Sequence, residues 1–131
     1  MQDFHKLRVR HHAREVTRLA SATTHRVRER DSPGIRSQLR RAAALIGANI
    51  AEGSAHHAGR EFARSLQQAL ASADELMHRV ITARDVGMLA PHAVAPLIAE
   101  TSSVQRMLVV LHRRVLEVVE RRTRPSTDHH R

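Results

Sequence analysis

Arg36, Gln38, Arg40 and Arg41 fall within two helical turns of one another. Guanidinium groups carry fixed forks of N–H donors, so a cluster of them is suited to gripping phosphate or carboxylate oxygens. Two further sets have the same character. Arg113, Arg114, Arg121, Arg122 and Arg124 crowd the C-terminal part of the chain, and Lys6, Arg8, Arg10, Arg14 and Arg18 recur along its start. Each set has two readings. The cations contact nucleic-acid phosphate, or they serve the fold. In the second case Arg40 or Arg41 pairs with Glu52, Glu75 or another carboxylate, and the C-terminal arginines complement a helix dipole.

Other chemistry is poorly served. Glu75-Leu76-Met77-His78 has the Glu-x-x-His form of half a di-iron site, but such a site needs two of these motifs and two more inward glutamates. The adjacent pairs His11-His12, His56-His57 and His129-His130 point to different sides of a helix, so no metal site is expected. Asn49 and Glu52 stand on an otherwise apolar segment, where a polar group needs a partner. A hydrogen bond across the packing of the second and third helices, fixing register, is the role expected of them. Neither has a nucleophile or second carboxylate at helical spacing. With no cysteine and no glycine-rich phosphate loop, the sequence predicts neither an enzyme nor a cofactor.

The 131 residues suit one domain, and 22 Lys plus Arg against 13 Asp plus Glu give a net charge of +9, with Lys6 the one lysine. Such a field draws in a polyanion, RNA or DNA; the alternative is a basic surface that is merely solvated. Phe4 and Phe62 are the only aromatic side chains, so base stacking on the protein has little to work with. Binding is therefore expected to run through backbone phosphates, to tolerate sequence and to weaken with salt. Uninterrupted apolar runs such as 42–47 and 107–111 are far shorter than the roughly 20 residues of a bilayer span, and no apolar stretch follows Met1. A cytoplasmic protein with no membrane partner is the expectation.

These residues are positioned by four helical periods. Val9, Ala13, Val16, Ala20, Thr23 and Val27 form the first seam. Ser32 and Pro33 read as N-cap and first position of a second helix with Ile35, Leu39, Ala42, Ile46 and Ile50 inward, and Gly53 as its terminator. The small residues Ala43, Ala44, Gly47, Ala48 and Ala51 place that helix at the crowded centre of the packing. Phe62, Leu66, Ala69, Ala73, Leu76, Val80 and Ala83 mark a third helix closed by Gly87. Pro91 opens a fourth with Val94, Leu97, Thr101, Val104, Leu108, Leu111, Val115 and Val118 inward, stopped at Arg124-Pro125. The chain is thus expected to be all-α: an antiparallel up-down-up-down four-helix bundle over residues 1–125, with a polar tail at 126–131.

Leu45 on the second helix, and Ile98, Met107, Val109, Val110, Leu116 and Val119 on the fourth, widen the apolar stripe beyond one seam. The excess predicts self-association, or else a broader core within one chain.

The block Ser37-Gln38-Leu39-Arg40-Arg41-Ala42-Ala43, with Ile46 and then Asn49-Ile50-Ala51-Glu52-Gly53, resembles the signature of the 23S rRNA intervening-sequence-protein family. The likeness continues through Glu61-Phe62, 69–76 and 83–89, and spans about residues 3–118. It implies a four-helix bundle that assembles into a ring, typically a homopentamer. In architecture the chain also resembles the accessory variability determinant of diversity-generating retroelements, a basic pentamer that partners a reverse transcriptase and nucleic acid. The family's usual small polar residue, proline and serine are replaced here by Leu45, Gly47 and Ala48, so no proline kinks this helix.

Overall fold

A computed structural model describes residues 2–55 and 59–123, the side chains of residues 2 and 3 excepted. The histidine pairs at 56–57 and 129–130, the stop at Arg124-Pro125 and the polar tail lie outside the described residues. Four helices follow one another: α1 (Gln2–Thr24), α2 (Ile35–Ser54), α3 (Gly59–Asp85) and α4 (Pro91–Thr123). No strand occurs among the described residues.

The inward seams account for the helices. Every seam residue expected on α2 and α3 is buried, as are those on α4 from Val94 to Val115. Val118, one turn on, is half-buried. Burying a Leu or Ile side chain contributes about 1.5–3 kcal/mol, and seven such side chains and Val9, Val16, Val80, Val94 and Val104 are almost wholly enclosed. On α1 the seam runs Val9, Ala13, Val16, Ala20 and then Thr24, not Thr23 and Val27. The helix stops there, and Val27 packs on the core from the connection. Local bonding explains the stop. Thr24 Oγ1 donates back to the Ala20 carbonyl at 2.7 Å, while α2 side chains take the carbonyls of Ser21 and Val27.

The start of α2 also departs from expectation. Its N-cap is Gly34 in the left-handed region (φ 80°), and no side chain caps the helix. The Gly34 N–H donates instead to Glu29 Oε2 at 2.7 Å, so the tight turn, not Ser32-Pro33, sets the first residue. Gly53 is no terminator, for α2 continues to Ser54. A Cβ at Gly53 would stand 2.7 Å from Phe62 Cδ1 and 2.8 Å from Ser65 Cβ, so glycine is required by the close approach of α3. Gly87 does end α3 as expected, at φ 86°. The Met88 N–H reaches the Ala83 carbonyl at 2.8 Å and the Gly87 N–H reaches that of Arg84 at 3.1 Å, a Schellman closure with Leu89 buried behind it.

α1 packs on α2 and α4, and α3 packs on α2 and α4, with no packing across either diagonal. This is the antiparallel square. A side-chain tie bridges each seam: Arg40 Nε to Thr24 Oγ1 (3.0 Å) for α1–α2, Arg79 Nη1 to Gln38 Oε1 (3.0 Å) for α2–α3, Gln105 Nε2 to Asp74 Oδ1 (2.8 Å) for α3–α4, and the half-buried His12–Glu100 pair for α1–α4.

Ala44, Ala48 and Ala51 are exposed and Gly47 half-buried, so the small residues of α2 do not mark a crowded centre; of that group only Ala43 is buried. They floor an open trough between α1 and α2 instead.

Candidate nucleic-acid interface

The basic cluster on α2 is divided by the fold. Arg40 is half-buried; besides its bond to Thr24, its Nη2 donates to the Ser21 carbonyl at 3.2 Å. Its charge thus sits at the carboxyl end of α1, where the unsatisfied carbonyls of the helix favour a cation. Arg36 Nη2 donates to the Val27 carbonyl, and Arg36 Nε is buried without a hydrogen-bond partner. Arg41 points outward. It lines a groove with Gln38, Leu45, Glu75 and Arg79, in which Glu75 Oε2 already receives Arg79 Nε at 2.9 Å. The binding partners of Arg36 and Arg40 are therefore backbone carbonyls and a threonine hydroxyl.

The antiparallel order sets the start of α1 against the C-terminal half of α4, and a second basic site forms there. His5 and Arg8, one turn apart on α1, face Ser103, Arg106, Met107, Val110, Leu111 and Arg114 of α4 around a groove of about 420 Å³. Arg114 Nη1 and His5 Nε2 are 2.5 Å apart, with the arginine as donor. Arg106 is steadied by Ser102 Oγ at 2.7 Å and Ser103 Oγ at 3.3 Å. No carboxylate among the described residues lines the groove. Arg8 and Arg114 belong to the sets singled out in the sequence. Arg106, His5 and Ser103 do not, although positions 106, 110 and 114 recur at the four-residue spacing that stacks side chains on one helix face.

Arg10 and Arg14 rim the α1–α2 trough over Ala44, Gly47, Ala48 and Ala51. Arg18, further along α1, is partly neutralised: its Nη2 and Nε reach the Glu15 carboxylate at 2.5 and 3.1 Å. That hydrogen bond holds the Glu15 carboxyl below the usual carboxylate range and raises the Arg18 guanidinium. Arg113, Arg121 and Arg122 are exposed, the last two in the final turn of α4. Lys6 Nζ lies 4.7 Å from the centre of the Phe62 ring. Asn49 is half-buried and Glu52 exposed; both line a groove at the α2–α3 seam with Glu61, Arg64 and Gln68, outside the core.

Among the described residues no three His, Asp or Glu side chains gather as a metal site would require. The widened apolar stripe splits in two. Ile98, Met107 and Val119 pack against the core, whereas Leu45, Val109, Val110 and Leu116 stay exposed. By length and composition α4 is apolar enough to cross a membrane, which the short uninterrupted runs did not suggest, because uncharged residues such as Thr101, Ser102, Ser103 and Gln105 link them. One face of this helix is nonetheless the core of the bundle.

Known proteins share the fold. The sequence profile of the family described as 23S rRNA-intervening sequence protein matches residues 5–110. Among solved structures, a protein of unknown function from the S23 ribosomal protein family of Bacteroides thetaiotaomicron VPI-5482 superposes with a TM-score of 0.75 at 18% identity, over 83% of this chain and 98% of that one. That likeness bears on the fold. No curated protein matches significantly.

Proposed function

The chain belongs to the 23S rRNA-intervening sequence protein family, and from that premise we propose that it is a non-enzymatic, oligomeric accessory protein that binds nucleic acid through backbone phosphates. One observation carries the reading: Arg8, Arg106 and Arg114 line one groove on the α1–α4 face, with no carboxylate among the described residues that line it. Exposed Arg10, Arg14, Arg113, Arg121 and Arg122 extend positive charge along the same two helices. Arg41 adds a cation on α2, while Arg36 and Arg40 serve the α1–α2 junction and Arg18 is screened by Glu15. A cytoplasmic protein associated with RNA fits this surface, and a homo-oligomer, in the family's case a pentameric ring, would repeat it around an axis and multiply its avidity.

The test is fluorescence anisotropy of labelled RNA and DNA across a salt series. At about five phosphate contacts, affinity should fall roughly 500-fold between about 50 and 200 mM salt, with scrambled sequences bound equally. Absence of binding at low salt, or binding indifferent to salt, would refute the proposal.

A second reading has its own support. The exposed Leu45, Val109 and Leu116 suit a protein-interaction ring, such as an adaptor for a reverse transcriptase or another nucleic-acid enzyme, that does not itself touch nucleic acid. An oligomer without salt-dependent binding would favour it.

A further inference from the structure

The α1–α4 groove differs from the rest of the basic surface in having an apolar floor. Arginines on an open helix face meet a phosphodiester chain from one side, and any phosphate serves. Here Met107, Val110 and Leu111 form the base of a groove whose charged groups stand around it. The polar groups follow one another along its length. Arg114 meets His5 of α1 at one end, and Arg8, one turn further along antiparallel α1, stands between that end and Arg106. Arg106 stands at the other end, eight residues or about 12 Å along the helix axis. A ligand filling the groove therefore needs negative charge between Arg8 and Arg114 and a body with an apolar face over Met107 and Val110.

We infer that the α1–α4 groove is a site for a nucleoside monophosphate group, with its phosphate held by Arg8 and by Arg114, which His5 positions, and its base lying over Met107 and Val110 toward Arg106. A phosphomonoester carries nearly two charges and three acceptor oxygens at neutral pH, against the single charge of a diester, so it gains more from two convergent guanidinium forks. The base has a flat apolar face to cover the floor. Such a group exists as a free nucleotide and as the 5′-phosphorylated end of a strand. The second source rests on the nucleic-acid reading above; the chemistry of the groove does not.

The full-length protein tests this with three probes: one short oligonucleotide bearing a 5′-phosphate, the same oligonucleotide bearing a 5′-hydroxyl, and adenosine monophosphate. Expected is about tenfold tighter binding of the phosphorylated end at equal salt, as two charge-assisted hydrogen bonds would give. The double variant Arg8→Gln/Arg114→Gln should bring that ratio to about one. Arg121→Gln/Arg122→Gln, far from the groove floor, should weaken both strands and preserve the ratio. Circular dichroism verifies that both variants fold. Should neither oligonucleotide bind while adenosine monophosphate binds and is lost in the Arg8/Arg114 variant, the nucleic-acid reading fails and the groove stands as a site for free nucleotide. Equal affinity for the two strand ends, together with no binding of adenosine monophosphate, overturns the assignment.

Discussion

Arg40 and Arg41 are neighbours in the chain with opposite surroundings. Arg40 is tied to Thr24 and the Ser21 carbonyl, and Arg41 faces solvent. Hydrogen bonds to charged groups contribute about 1.5–3 kcal/mol when partly buried. Arg40→Ala should therefore lower the unfolding free energy from urea titration by an amount in that range, while Arg41→Ala leaves it in place and weakens nucleic-acid binding. Thr101 offers the converse case. Its hydroxyl is buried in the core without a hydrogen-bond partner, so Thr101→Val, which keeps the shape and removes the polar atom, should stabilise the protein by about 1 kcal/mol in the same assay. A sequence shows an arginine pair but not which member an adjoining helix end captures. That depends on where α1 stops, and the stop is set by the very side chains in question. For the same reason the sequence pattern overran α1 to Val27, although it marked the four seam residues before the end correctly.

Helices were the most legible level. Four seams spaced at three and four residues survive into the core nearly residue for residue, because burial on one helix face demands that period wherever the chain goes. Glycines were harder to read, since one residue type answers different needs. Gly87 supplies a positive φ, as the pattern of an interrupted helix implies, whereas Gly53 admits Phe62 and Ser65 of a neighbouring helix, a contact absent from local sequence. Gly47 does neither, for nothing lies within 4 Å of where its Cβ would stand. Gly53→Ala should cost about 1–3 kcal/mol through overpacking. Gly47→Ala should gain about 0.5–1 kcal/mol by restricting the unfolded chain. Thermal unfolding of the two variants separates these roles, and a loss at both sites would contradict the assignment for Gly47.

For the molecule as a whole, the candidate interface arises from topology. Arg8 and Arg114 belong to opposite ends of the sequence, and antiparallel order brings them to one groove; Arg106, isolated in an apolar run, completes it. The outer apolar residues speak to assembly. Val109 and Leu116, seven residues apart on α4, are each more than one-third exposed. Val109→Glu/Leu116→Glu should abolish self-association, read as molar mass by light scattering after size exclusion. As surface changes they should leave the fold within about 0.5 kcal/mol of its original stability. A monomeric parent protein, or an unchanged mass in the variant, would contradict assembly through this face.

The square packing order has a consequence for how the chain closes on itself. Three of its seams join helices adjacent in sequence, but the fourth brings His5 to Arg114 across 109 positions. Loop-closure entropy rises by only about 0.6 kcal/mol per doubling of length, so this long ring costs roughly 1.2 kcal/mol more than a helical hairpin. It is still the largest loop in the molecule. A ligand gripped by Arg8 and Arg114 together would act as a clasp on that loop, joining the two ends of the chain at the seam that is entropically dearest to close.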